Sequence, residues 1–178
     1  MSKAVLISIR PKYCVLIARG QKTIEVRKTR PKLEPPFKCY IYETRDPHYG
    51  GAGRPGCVIG SFCGGKVVGE FVCDAIYNII NVGYAFVVGK SVAKTNLVAR
   101  ASCLDFGDLH DYLGSKGGYG WHISDLKIYN HPKELGVFKR CHKCEYCEGC
   151  LEHEYSCDGT WALRHPPQSW CYVGGGNS

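Results

Sequence analysis

Eleven residues, Gly20-Gln21-Lys22-Thr23-Ile24-Glu25-Val26-Arg27-Lys28-Thr29-Arg30, carry four cations and one carboxylate. Thr23 to Arg27 alternates in the way that suits a β-strand. Successive side chains of a strand point to opposite faces, so Glu25 and Arg27 share one face. Lys22 does not share that face by parity and is expected at its rim, just after Gly20. A carboxylate beside a guanidinium with a lysine at the rim can hold a nucleotide or move a proton. The rest of the chain is read as the frame for that face.

Ala4 to Ile9 is a short apolar run with Ser8 inside it, which predicts a buried strand. Pro11 suits the first turn of a helix, Tyr13, Leu16 and Ile17 have helical spacing, and Gly20 stops it. Pro31, Pro35 and Pro36 force a loop before a strand over 38–44. Residues 46–60 are rich in Gly and Pro, hold His48, Tyr49 and Arg54, and read as a lid or a long surface loop. Residues 66–76 give the longest strand signal. Glu70 stands among apolar residues there, either solvated or buried inside a barrel. Residues 77–101 read as a hairpin or an excursion. Asp105 to Leu113 predicts a short helix with acid at its N-terminal end, stopped by Gly114. Strands follow around Tyr119–Ile123 and Leu126–Tyr129, then a turn or helical piece over 132–138. A final segment over 161–173 is broken by Pro166-Pro167. Many short strands and few short helices predict an α+β, mainly β fold: a small, partly closed barrel in one domain over 1–178.

The chain has 178 residues and a formal charge of +7, which favours a polyanionic partner. The apolar run at the N-terminus is too short for a signal peptide and Arg10 ends it. No stretch reaches the roughly 20 apolar residues of a membrane helix. A cytoplasmic protein with no membrane partner is the expectation. Phosphates require cations, and Arg10, Lys12, Lys22, Arg27, Lys28 and Arg30 come from neighbouring elements. Bases require flat partners, and Tyr13, Tyr42, Tyr119 and Trp121 are the candidates. Glu25 can accept from an exocyclic amino group. The alternative is that Glu25 and Arg27 form a structural ion pair and that the aromatic rings are core. If the protein is an enzyme, Lys22 and Glu25 are the catalytic candidates. His122 is equally a proton carrier or a structural histidine.

Six of the 12 cysteines, Cys14, Cys39, Cys57, Cys63, Cys73 and Cys103, lie scattered among apolar residues and read as core thiols. The others gather in Cys141-His142-Lys143-Cys144-Glu145-Tyr146-Cys147-Glu148-Gly149-Cys150, with Cys157 and Cys171 beyond. Steps of C-x2-C present paired thiolates to one ion, which predicts a structural zinc that staples an insert over 139–160. Cys141, Cys144, Cys150 and Cys157 are one possible set of four ligands among several. An iron–sulfur pattern ranks lower because the usual trailing proline is absent. A reduced, metal-free loop is the bland alternative.

Ile7-Ser8-Ile9-Arg10-Pro11-Lys12-Tyr13, followed by Gly20-x-Lys22-x-x-Glu25-x-Arg27, resembles the ASCH domain of the PUA-like superfamily. Val68-Gly69-Glu70-Phe71, Tyr119 to Leu126 and Arg164 to Val173 are similar to a phage and gut-bacterial branch of it. The resemblance covers the chain apart from 77–101 and the cysteine-rich segment. It implies a β-barrel with a helix beside a cleft lined by the signature strand, and RNA or modified-nucleotide binding there. Some members are amidohydrolases of N4-acetylcytidine and others are proposed ribonucleases. The small amidohydrolases carry a threonine three residues after the lysine, and a distant glutamate. Here Glu25 stands at the threonine position and Ala101-Ser102-Cys103 falls where the glutamate is expected, which counts against that reaction. The leading function is RNA or nucleotide binding through a basic cleft. The alternatives are a hydrolase acting on RNA or a modified nucleoside, and a protein-interaction module.

Overall fold

In the computed structural model, residues 3–45, 64–81, 86–88, 92–141 and 160–174 are described. The expectations for 46–60, for Cys57 and Cys63, and for the cysteine-rich segment between 142 and 159 lie outside these residues.

A seven-stranded mixed sheet forms the larger layer. β1 (Lys3–Ile9) runs through its interior, antiparallel to β11 (Trp170–Gly174) and parallel to β3 (Phe37–Glu43). Both flanks of β1 are therefore paired, and six of its seven residues are buried. A parallel pair needs a crossover, which begins with helix α1 (Pro11–Ala18). Pro11 occupies the first turn of α1, and Gly20 follows its end at φ +69°, a conformation that glycine adopts without strain. β4 (Lys66–Cys73) and β8 (Ser124–Lys133) extend the sheet beyond β3. β9 (Lys139–Cys141) and β10 (Thr160–Ala162) extend it beyond β11.

The second sheet has four strands in the order β2-β7-β5-β6: β2 (Ile24–Arg27), β7 (Gly118–His122), β5 (Ile76–Asn81) and β6 (Phe86–Val88). The mainly β class and the short helices match the expectation. Among the described residues the strands form two sheets that do not close into one barrel, in keeping with a barrel that is only partly closed. Trp121 of β7, fully buried, joins the sheets by packing in one core with Val5, Ile7, Cys39, Ile41, Val68 and Phe71 of the larger one. Its ring meets Phe37 edge-on at 6.0 Å between centroids.

Of the hairpin or excursion expected over 77–101, the structure holds the hairpin, β5 against β6, and adds a helix. These residues complete β5, form β6, and enter helix α2 (Val92–Ser102). Val98 of α2 is buried with Ile24 and Val26 of β2, so this helix backs the charged strand. Helix α3 (Phe106–Leu113) follows, capped by the Asp105 carboxylate, which accepts from the Asp108 N–H at 2.8 Å. Of the thiols read as core, Cys14, Cys39 and Cys73 are buried, whereas Cys103 is half-exposed at φ +53° just after α2.

Candidate nucleotide cleft

β2 is four residues long and every one is buried. Ile24 and Val26 face the apolar cluster under α2. Glu25 and Arg27 face the other way, as their spacing requires. The Arg27 guanidinium lies 3.0 Å from Glu25 Oε1 and also donates to the backbone carbonyl of Ser8 in β1. The Lys22 ammonium lies 3.2 Å from Glu25 Oε2 and donates to the Ser102 carbonyl at 2.7 Å. The Tyr13 ring stands 5.0 Å from the same ammonium.

Lys22 is not at the rim. Only 2% of it is exposed, against 6% for Glu25 and 7% for Arg27. Strand parity places Lys22 on the far face only if the strand starts there. The chain instead leaves α1 through a tight turn, with the Gln21 and Lys22 N–H groups both bonded to the Leu16 carbonyl. The side chain then turns inward beneath α2. Two cations against one carboxylate leave a surplus positive charge in a site almost closed to water. Removing charges from water is expensive, so such a surplus is stabilised by further acceptors or by an anion. The carbonyls of Ser8 and Ser102 supply part of that stabilisation.

The cluster opens on a cleft of about 510 Å³. One wall carries Ser8, Arg10, Tyr13, Lys22, Glu25 and Arg27; Leu104, Asp108, Asp111 and Tyr112 form another; Thr44, Gln168 and Ser169 complete it. The cleft is not uniformly basic. Arg10, Lys22 and Arg27 are countered by Glu25, Asp108 and Asp111. The charge is segregated, with cations along the β1–β2 side and two carboxylates on α3. The acidic start of α3 is legible in the sequence, but its place in the lining of this cleft is a consequence of tertiary packing.

The remaining candidates divide. Lys12 is exposed beside the Tyr13 ring at 4.6 Å, and Lys28 beside the Tyr112 ring at 5.3 Å; neither lines the cleft. Tyr119 opposes Arg27 across the β2–β7 pair and packs half-buried against the core. Trp121 and Tyr42 are corrected as stacking candidates: both are buried in the core and neither lines the cleft. Their alternation in the strands marks them equally as core, and burial decides the matter: Trp121 packs between the sheets, and Tyr42 in the apolar cluster on the other face of the larger sheet. His122 pairs with Asp74 at 2.6 Å, outside the cleft lining. That hydrogen bond holds the Asp74 carboxyl below its usual range.

Sequence reasoning overlooked Ser8, Thr44, Asp108, Asp111, Tyr112, Gln168 and Ser169. The Arg164–Trp170 stretch carried a hint, because Ser8 Oγ donates to the Pro167 carbonyl at 2.6 Å and the Ser8 N–H to the Ser169 carbonyl at 2.9 Å. Behind the cleft Glu43 is buried, and its carboxylate accepts from the Gly64 N–H at 3.1 Å. Burial raises its pKa against the lowering effect of the Gly64 and Cys14 hydrogen bonds. Burial likewise pushes the Cys14 thiol well up, and the nearby Glu43 and Glu25 add to the shift. Cys14 is thus a protonated core thiol and not a nucleophile.

Among the described residues no group of His, Cys, Asp and Glu is placed to hold a metal ion. Cys144, Cys150, Cys157 and the side chain of Cys141 lie outside them. No helix among the described residues is long and apolar enough to cross a membrane.

No protein-family model matches the chain, and no curated protein matches it in sequence. Solved structures do match. The ASCH protein from Zymomonas mobilis is 18% identical, with 97% of this chain and 88% of that one covered and a TM-score of 0.57. One single-residue mutant of the Zymomonas mobilis protein matches at 20% identity, 75% and 77% coverage and a TM-score of 0.51. Another matches at 17%, 97% and 89%, with a TM-score of 0.55. The fold is that of an ASCH domain.

Proposed function

We propose that the cleft binds one nucleotide unit of an RNA, or a free nucleotide. The observation that carries this reading is the buried Lys22–Glu25–Arg27 cluster, which holds a surplus positive charge at the floor of a cleft of about 510 Å³. That volume is in the range of small-ligand sites. A phosphate would lie along Arg10, Lys22 and Arg27, where guanidinium groups give two-pronged contacts. Tyr13 would lie against the base or sugar, and Asp108 and Asp111 would accept from amino or hydroxyl groups on the opposite side. The likeness to ASCH structures supports this reading through fold alone. The resemblance of 68–71, 119–126 and 164–173 to a phage and gut-bacterial branch supports a place for the chain in that branch.

Binding is favoured over hydrolysis by the engagement of the candidate groups. Lys22 and Glu25 hold each other, Lys22 also holds the Ser102 carbonyl, and His122 is held by Asp74 elsewhere. Lys22, held by the Glu25 carboxylate and the Ser102 carbonyl, is a fixed positive charge at the cleft floor. Arg10 is the residue to test, because it lines the cleft and is exposed. Arg10→Ala is expected to weaken binding of nucleoside monophosphates and RNA about tenfold, about 1.4 kcal/mol, with an unchanged Tm. Titration calorimetry against a monophosphate and its parent nucleoside is the measurement. Absence of saturable binding by the wild type, or equal binding by the variant, overturns the reading. RNA cleavage in single turnover, lost in Lys22→Met with the fold intact, would establish the hydrolase instead.

A structural zinc on the cysteine-rich segment accompanies this reading. β9 and β10 pair antiparallel, with Cys141 opposite Thr160, so the two ends of the segment meet. One zinc per chain by elemental analysis, lost in Cys144→Ser/Cys150→Ser, is the expected outcome.

A further inference from the structure

The lining of the cleft carries three cations and three carboxylates, so it does not account for a chain charge of +7. A second concentration of positive charge lies on the larger sheet, on the face opposite the core that holds Trp121. Cys39 and Ile41 of β3 point into that core, so Lys38, Tyr40 and Tyr42 point away from it; Tyr40 and Tyr42 are buried there in a second apolar cluster with Tyr129, Leu135 and Phe138, and Lys38 stays partly exposed. Tyr40 is directly opposite Glu70 of β4, and Glu70 is directly opposite Lys127 of β8. Opposed residues share a face. Glu70 is therefore held between strands that bring lysine to it from both sides. Its Oε1 lies 3.2 Å from the Lys38 ammonium, and Oε2 accepts from the Tyr129 hydroxyl. Lys133 sits over the same Tyr129 ring at 4.6 Å. Lys127 and Lys133 are exposed. The nearby Glu134 is already paired with Lys66 at 2.7 Å.

Lys38 and Lys127 thus flank one carboxylate, Lys133 stands over the ring of the tyrosine that donates to it, and both oxygens of that carboxylate are engaged within the protein. The outward field of the patch is positive. We infer that this lysine face of β3, β4 and β8 is a second contact surface, for the phosphate backbone of the RNA whose nucleotide the cleft takes. The inference rests on the proposed function for its choice of polyanion. Charge complementarity selects the partner, and lysine, a flexible point charge, suits sequence-independent backbone contact. The cleft accommodates one unit, and a strand that continues beyond it requires cations elsewhere.

The test is fluorescence anisotropy with a labelled single-stranded RNA of about twenty nucleotides across a salt titration, beside calorimetry with a nucleoside monophosphate. Lys127→Gln/Lys133→Gln is expected to reduce the slope of log K against log salt by about 1.4, from roughly 0.7 per phosphate contact on a single strand. Monophosphate binding is expected to be unchanged. Glu70→Gln, whose amide oxygen can still accept from Tyr129, is expected to tighten RNA binding about two- to fivefold. An unchanged slope in the double variant, or no gain in Glu70→Gln, overturns the inference. So does a double variant that loses monophosphate binding equally, or one that loses only binding to phosphatidylserine vesicles and keeps its RNA slope. If the wild type binds RNA but no monophosphate, the cleft reading fails, and a reduced slope in the double variant still upholds the lysine face.

Discussion

Glu25 is the residue on which the site depends. It is the carboxylate between Lys22 and Arg27, and all three are buried. Breaking a buried pair leaves a charge without compensation, at about 3–5 kcal/mol. Glu25→Gln keeps the shape and removes the charge, so urea unfolding is expected to show a loss of about 3 kcal/mol. Added phosphate should recover part of it if the surplus charge is an anion site. Glu43 behaves in the opposite sense. Burial raises its folded pKa, so the folded protein holds its proton more tightly than the unfolded chain. Its contribution is fully present below the unfolded value of about 4.3 and is lost as pH rises through the folded pKa. Glu43→Gln should therefore gain stability relative to the wild type as pH increases across that window. Thermal melts of both proteins from acid to neutral pH provide the check, and a difference that is flat with pH would refute it. The spacing of Glu25 and Arg27 was legible because strand parity is a local rule. The burial of Lys22 was not, because it follows from a turn held by Leu16 and a helix eighty residues away.

The elements that hold the cleft were only partly visible in the sequence. β1, α1, β2, β3 and α3 announce themselves through apolar runs, Pro11, Gly20, Asp105 and Gly114. α2 does not, because its packing on β2 is long-range. The corner before β7 shows how tightly the smaller sheet is built. Gly117 has φ +68°, and a Cβ there would meet the Ile79 carbonyl oxygen at 2.2 Å. Gly117→Ala combines a left-handed backbone with a clash against backbone. A loss of about 2 kcal/mol is expected, visible as a Tm lower by about 4–8 °C in a chain of this size. An unchanged Tm would mean that the β5–β7 pair can shift to admit the methyl group.

At the scale of the molecule, Trp121 fastens the two sheets. Its ring packs on Phe37 and Trp170, and it lies directly opposite Glu25 across the β2–β7 pair. Trp121→Ala should lower unfolding stability by about 3–5 kcal/mol in calorimetry. Loosening the support behind Glu25 should also weaken monophosphate binding, although Trp121 itself touches no ligand. Trp121 read as a stacking candidate because aromatic residues in strands serve core and ligand alike; only the second sheet, folded over it, settles which. The same holds for charge. The sequence by itself determined a mainly β chain, the face shared by Glu25 and Arg27, and the helix stops, because these follow from periodicity and from backbone restrictions acting over a few residues. Tertiary structure alone decided that the strands form two sheets, that Lys22 is buried, that α3 brings carboxylates to the same cleft as the cations, and that lysines of β3 and β8 flank Glu70. Those arrangements depend on residues far apart in the chain, which pairing and burial bring together and local sequence does not record.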